Sequence, residues 1–151
     1  KTRPWPRSSG LGSGTARQAT ATTRVLVVDD APSIRALLRS TLPLHGFEIV
    51  AEADRAATGI EMARAEQPDV IVLDVQMPQV NGVDAIGPMK AEAPNARILM
   101  YSSHDEHFMK DEALKKGADA YFDKLAPISQ MAEELHRIVD VRKDLTPADN
   151  A

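Results

Sequence analysis

The chain contains no cysteine. Disulfides, thiolate chemistry and Cys-type zinc sites are therefore excluded, and the absence fits a reducing, cytoplasmic setting. No apolar run approaches the roughly 20 residues of a membrane-spanning helix. No apolar centre of a secretory signal stands near the N-terminus. Neither a glycine-rich phosphate loop nor a Ser-His-Asp order is visible. Acids are missing from one end only: residues 1–24 hold Lys1, Arg3, Arg7, Arg17 and Arg24 but none of the chain's 22 carboxylates. The remainder is correspondingly acidic, within a net charge of −4. Such a body is a poor match for a phosphate backbone, so direct nucleic-acid binding is not expected.

At 151 residues, one domain with a single substantial core is the default. Residues 1–23 are rich in Ser, Thr, Gly, Pro, Arg and Ala, with Trp5 and Leu11 as the large apolar exceptions. They read as a disordered basic tail or linker, because they cannot bury enough surface to offset the entropy of ordering. The domain is expected over residues 24–142, followed by a polar, frayed tail over 143–151. Within it, Val25–Val28, Phe47–Val50, Val70–Leu73, Arg97–Tyr101 and Asp119–Phe122 are short apolar runs that read as strands. Each is followed by a helical pattern. The first starts at Pro32, repeats Ile34, Leu37, Leu38, Thr41 and Leu42 on one face, and can end at Gly46. The others cover Ala56–Glu66, Val83–Ala93, Asp105–Lys116 closed by Gly117, and a last helix whose face is Ile128, Met131, Leu135, Ile138 and Val139. Gly87-Pro88 inside the third helix predicts a kink or a short helix, since an interior proline costs about 3 kcal/mol. Five repeats of strand then helix predict an α/β fold, a doubly wound five-stranded parallel sheet with five helices.

The run Val70–Leu73 stops at a lone carboxylate, Asp74, and Met77-Pro78 and Asn81-Gly82 follow as turn signals. Ligands of open α/β sheets bind at the carboxyl ends of strands. Asp29 and Asp30, Asp74, Ser102 and Lys124 all fall at such ends. Taken singly, each has an ordinary explanation as a helix cap, a turn residue or a solvated charge. Their joint occurrence at four strand ends is what argues for a site. Carboxylates brought to about 4 Å repel by about 4 kcal/mol per pair at an effective dielectric near 20. A hard divalent cation relieves this, and Mg²⁺ suits one or two carboxylates plus a phosphate oxygen. A carboxylate can also attack phosphorus to give an aspartyl phosphate.

With Asp29-Asp30, Asp74 followed by Met77-Pro78 and Gly82, Ser102, Lys116-Gly117-Ala118, and Tyr121 before Lys124, residues 24–142 resemble the receiver domain of bacterial two-component response regulators, in its single-domain, chemotaxis-regulator-like form. The resemblance implies a flavodoxin-like strand order 2-1-3-4-5. It implies that Asp74 accepts a phosphoryl group from a histidine kinase or histidine phosphotransfer protein. Asp29, Asp30, Asp74 and the backbone carbonyl of Gln76 would hold Mg²⁺. Lys124 would contact the phosphoryl group, and Ser102 and Tyr121 would switch the face made by helix four, strand five and helix five for a downstream effector. Gln76 and His104 stand where the family tunes dephosphorylation, while His45, His107 and His136 read as surface.

Two departures from the family pattern stand out. Ser102 occupies a place that often holds Thr. Leu125 follows the lysine where proline, often cis, is usual; a non-proline cis bond costs about 3–4 kcal/mol, so a trans loop is expected. With only about ten residues after the last helix, the expectation is a stand-alone phosphoacceptor rather than an enzyme, with a phosphorylation-dependent dimer left open. One alternative is the receiver fragment of a DNA-binding transcriptional regulator. Another is a haloacid-dehalogenase-like hydrolase, which needs a second carboxylate where Gln76 stands. The third is a pseudo-receiver, against which the complete acidic set argues.

Overall fold

The computed structural model describes residues 22–150. The expected N-terminal tail lies outside the described residues except for Thr22 and Thr23. Five parallel strands, β1 (Thr23–Val28), β2 (Phe47–Ala53), β3 (Val70–Asp74), β4 (Arg97–Ser102) and β5 (Ala120–Asp123), form one sheet in the order 2-1-3-4-5. Helices α1 (Pro32–Thr41), α2 (Ala56–Glu66), α3 (Gly82–Glu92), α4 (Lys110–Lys115) and α5 (Ile128–Asn150) connect and follow them. A two-residue ribbon pairs Gln76–Met77 with Val80–Asn81 between β3 and α3.

The continuous apolar runs of the strands have a direct cause. Successive side chains point to opposite faces, and here both faces are covered. Leu26, Val28, Ile71, Leu73, Ile98 and Met100 pack with Ala63 of α2, Ile86 and Met89 of α3 and Ala113 of α4. Val25, Val27, Val70, Val72, Leu99 and Tyr101 pack with Leu38 of α1 and Met131, Leu135 and Ile138 of α5.

At the amino edge of the sheet, two carboxylates take the place of ladder partners. Asp69 Oδ2 accepts from the Arg24 backbone N–H at 2.8 Å. Asp119 Oδ2 accepts from the Ile98 N–H at 2.9 Å, while Lys90 Nζ and Arg97 Nη1 each lie 3.2 Å from that carboxylate. None of the described helices is long and apolar enough to cross a membrane.

Three expectations change. Helix α3 runs unbroken from Gly82 to Glu92 through Pro88, without being shortened. Gly87 and Pro88 lie on its exposed side, so the carbonyl that proline leaves without a donor can turn to water. The segment after β4 starts as a 3₁₀ turn, His104–Met109, before one and a half turns of α4, instead of an α-helix from Asp105. Phe108 is 79% exposed there, so the segment has little apolar anchorage, and such turns are common at helix starts. The backbone of α5 stays helical to Asn150, past residue 142, where the domain was expected to end. At the other end of α1, a short 3₁₀ turn over Leu42–His45 closes at Gly46, whose φ is +93°.

Candidate functional site

Asp74 and Ser102 are the final residues of β3 and β4, Asp29 follows β1, and Lys124 follows β5. The sheet order sets β1, β3, β4 and β5 side by side, so these ends meet at one edge. One carboxylate oxygen from each of Asp29, Asp30 and Asp74 lies within 4.8 Å of the other two, and among the described residues this is the metal-competent cluster. Asp29 is 1% and Asp74 2% exposed, whereas Asp30 is open to solvent. Lys124 reaches over them, with Nζ 2.9 Å from Asp74 Oδ1 and 3.1 Å from Asp29 Oδ2. The cleft in front has a volume of about 420 Å³ and is lined by Asp30, Asp74, Gln76, Met77, Pro78, Ser103 and Lys124. A neighbouring groove of about 430 Å³, between Val75–Asn81 and Phe108–Met109, has no ionisable side chain in its walls.

The loops hold these groups by local chemistry. Asp29 Oδ1 accepts from the Ala31 N–H at 2.9 Å, and Asp74 Oδ1 from the Gln76 N–H at 3.3 Å. Gln79 takes a positive φ of 69° at the tip of the ribbon. The chain then returns so closely that a Cβ on Gly82 would run into the Asp74 carbonyl oxygen, and only glycine fits. Asn81 caps α3 through the Val83 N–H at 2.8 Å. Lys124 is held from both sides: its N–H donates to the Ser102 carbonyl at 2.7 Å, and Asp123 Oδ1 accepts from the Leu125 N–H at 2.8 Å. Among the described residues no peptide bond is cis, so Lys124–Leu125 is trans as expected.

Electrostatically the edge is acid-rich. Burial pushes the Asp74 carboxyl up to about 7; the Asp29 charge adds to this, the Lys124 contact opposes it, and a hydrogen bond with Asp30 raises it further. Burial works against the Lys124 ammonium, but the bond to Asp74 and the charges of both buried carboxylates outweigh it and hold its pKa above the ordinary lysine value. Among the described residues, two buried side-chain oxygens lack a hydrogen bond, Asp29 Oδ2 and Ser102 Oγ, although the first has the Lys124 ammonium nearby. Three carboxylates, one of them an orphan acceptor, with a single ammonium form an oxygen-only donor set. That set suits a hard divalent cation.

The structure thus brings together Asp29, Asp30, Asp74 and Lys124, sets the Ser102 hydroxyl at the adjoining strand end, and places Gln76 in the cleft wall. Tyr121 is half-buried against the α2–α4 layer. The side chain of His104 lies outside the described residues. Of the other histidines, His136 is stacked on Phe47 with ring centroids 4.4 Å apart and sits 2.7 Å from the His45 carbonyl, so it is structural. His107 is less idle than its surface assignment suggested: Nε2 is 3.1 Å from Asp123 Oδ2, and its ring meets the edge of Tyr121 at 6.1 Å. Nothing in its spacing announced this, because the 3₁₀ turn sets its direction.

A sequence profile of the response regulator receiver domain matches residues 25–136. The chemotaxis protein CheY of Thermotoga maritima is 34% identical over 115 residues, which cover 76% of this chain and 96% of CheY. The nitrate/nitrite response regulator NarL of Escherichia coli is 31% identical over 116 residues, 75% of this chain but only 53% of NarL. Among solved structures, the signal receiver domain of a NarL response regulator from Mycobacterium tuberculosis superposes with a TM-score of 0.73 at 29% identity, covering 79% of this chain and 97% of that one. The chain belongs to the response regulator receiver family. Its role is that of a receiver in two-component signalling.

Proposed function

We propose that Asp74 is the phosphoacceptor of this receiver, taking a phosphoryl group from the phosphohistidine of a histidine kinase or phosphotransfer protein. The observation that carries the reading is the arrangement of three clustered carboxylates around one ammonium, with Asp74 at the end of β3 buried and bound by Lys124 at 2.9 Å, in the wall of the cleft. A carboxylate oxygen of Asp74 attacks phosphorus, the new P–O bond forms as the P–N bond breaks, and the electron pair returns to the departing imidazole. Asp29, Asp30, Asp74 and the Gln76 carbonyl are the groups that would hold Mg²⁺, which when bound supplies positive charge against carboxylates and phosphoryl oxygens. Lys124 exchanges a carboxylate oxygen for a phosphoryl oxygen. The Ser102 hydroxyl, buried without a partner, donates to another.

The product places a dianionic group where one buried carboxylate stood. That charge draws Ser102 and Lys124 inward and biases Tyr121 and the α4–β5–α5 face toward a second packing, which an effector protein or a second copy reads. The test is intact mass after incubation with Mg²⁺ and a small phosphodonor. A single phosphate adduct is expected, abolished by Asp74→Ala and by chelator; label retained by the variant at the wild-type level would overturn the assignment.

A second reading concerns the output. NarL, of which the matched region is 53%, and PhoP of Bacillus subtilis, of which it is 42%, are regulators longer than this match. On that reading the receiver works as part of a DNA-binding regulator. The reading frame of the parent gene past Ala151 tests it: an effector domain there supports it, and a stop codon ends it.

A further inference from the structure

We propose that Tyr101 is a positioning residue that fixes the Lys124 ammonium between Asp29 and Asp74. The proposal rests on the reading of Asp74 as phosphoacceptor and adds a residue to which no part of that chemistry was assigned.

The register of the sheet carries the argument. Tyr101 of β4 is the direct partner of Asp74 on β3, and the Val75 N–H donates to the Tyr101 carbonyl at 3.2 Å. Tyr101 follows Leu99 by two residues, and both pack into the layer under α1 and α5. Asp74 follows Val72 and Asp29 follows Val27 by the same step, and those valines belong to the same layer. The alternation of strand side chains therefore puts both carboxylates and the tyrosine on one face. Lys124 comes from the far side, beyond β5, where Phe122 is the register partner of Tyr101. To reach Asp74 its side chain must cross Tyr101, and Nζ lies 5.6 Å from the centre of that ring.

The ring does two things there. Its face attracts the cation, and its bulk, 1% exposed, closes the side of the cleft into which a flexible lysine stem would otherwise swing. The backbone of Lys124 is already held by Ser102 and by the turn at Asp123, so the terminal methylenes are the part left to be steered. The two side chains are also electrically coupled. Burial raises the Tyr101 hydroxyl pKa, the Lys124 charge opposes the rise, and Asp29 and Asp123 reinforce it. A leucine would fill the same strand position with no ring face. The missed signal was a tyrosine directly ahead of Ser102, hidden in what reads as an ordinary apolar strand.

The test compares Tyr101→Leu and Tyr101→Met, which remove the ring, with Tyr101→Phe, which restores it. In the metal-free protein, the Lys124 Hε protons are expected upfield by ring current in the wild type and Tyr101→Phe, and near the free-lysine position in the other two. Initial phosphorylation by a small phosphodonor should fall about fivefold in the ring-less variants and return to within about twofold of wild type in Tyr101→Phe. In a Lys124→Ala background, Tyr101→Leu should bring no further loss, because the tyrosine acts through the lysine. Urea unfolding identifies any variant that fails to fold, and Tyr101→Met then stands in for it. Wild-type rates in the ring-less variants, or an undiminished loss in the Lys124→Ala background, would overturn the proposal. If the wild type takes no phosphate at all, it is the phosphoacceptor reading that fails, and the Lys124 proton shifts alone decide whether Tyr101 positions the lysine.

Discussion

The two edges of the sheet use the same residue type to opposite ends. At the amino edge, Asp119 accepts from a backbone N–H and is flanked by two cations, while Asp69 accepts from the backbone of β1. At the carboxyl edge, three carboxylates share one ammonium, and Asp29 Oδ2 and Ser102 Oγ have no hydrogen-bond partner. The amino edge is nearly satisfied, apart from Arg97 Nε, and so it is finished structure. The carboxyl edge is left short of positive charge and donors. A site that must admit a cation and a phosphoryl group needs that shortage in advance.

Asp74→Asn probes the difference most strongly. Burial raises the folded pKa of Asp74 to about 7, against an unfolded value of about 3.9. Between those values the folded protein keeps a proton that the unfolded chain has lost, so stability in chelator falls as pH rises through the window. The asparagine has no charge to bury. It should therefore be more stable than wild type by about 4 kcal/mol at pH 8, with a flatter pH profile in urea titrations. Equal stabilities at pH 8 would mean that the edge is not short of positive charge.

Asp119→Ala should act in the other direction. It strands the Ile98 N–H and two cations at a half-buried position, and a loss of about 2 kcal/mol is expected in the same titrations. Phosphate uptake per folded molecule should not change. A fall in uptake without a fall in stability would show that the edges are not separate in function. The smallest effect is expected at Arg55, the N-cap of α2, which makes no side-chain cap bond. Arg55→Asn supplies an acceptor there and should add about 1 kcal/mol, read as a shift in thermal midpoint.

The order of elements was legible because buried parallel strands read as apolar runs, each ended by a polar residue at the functional edge. Asp29, Asp74, Ser102 and Lys124 announced themselves in that way. Side-to-side order was not written in any one run; the resemblance supplied it, since strand pairing joins residues far apart in the chain. Pro88 did not shorten its helix, because the cost of an interior proline depends on whether the freed carbonyl faces water, which a sequence does not state. The partners of Asp69, Asp119 and His107 were equally hidden. Each looks like a surface charge until register or a 3₁₀ turn sets its neighbours.

The inner position of β1 also bears on how the molecule is made. Its partners are β2 and β3, and Lys124, the cation that bridges the acidic edge, stands 50 residues beyond Asp74. A nascent chain thus completes its cluster of acids well before the lysine that compensates it leaves the ribosome. A half-made sheet would carry that repulsion alone, and a divalent cation such as Mg²⁺ would be its counter-ion. Refolding should accordingly be faster with Mg²⁺ than with chelator, and most clearly so in Lys124→Ala; a stopped-flow experiment showing identical rates would remove the cation from the folding pathway.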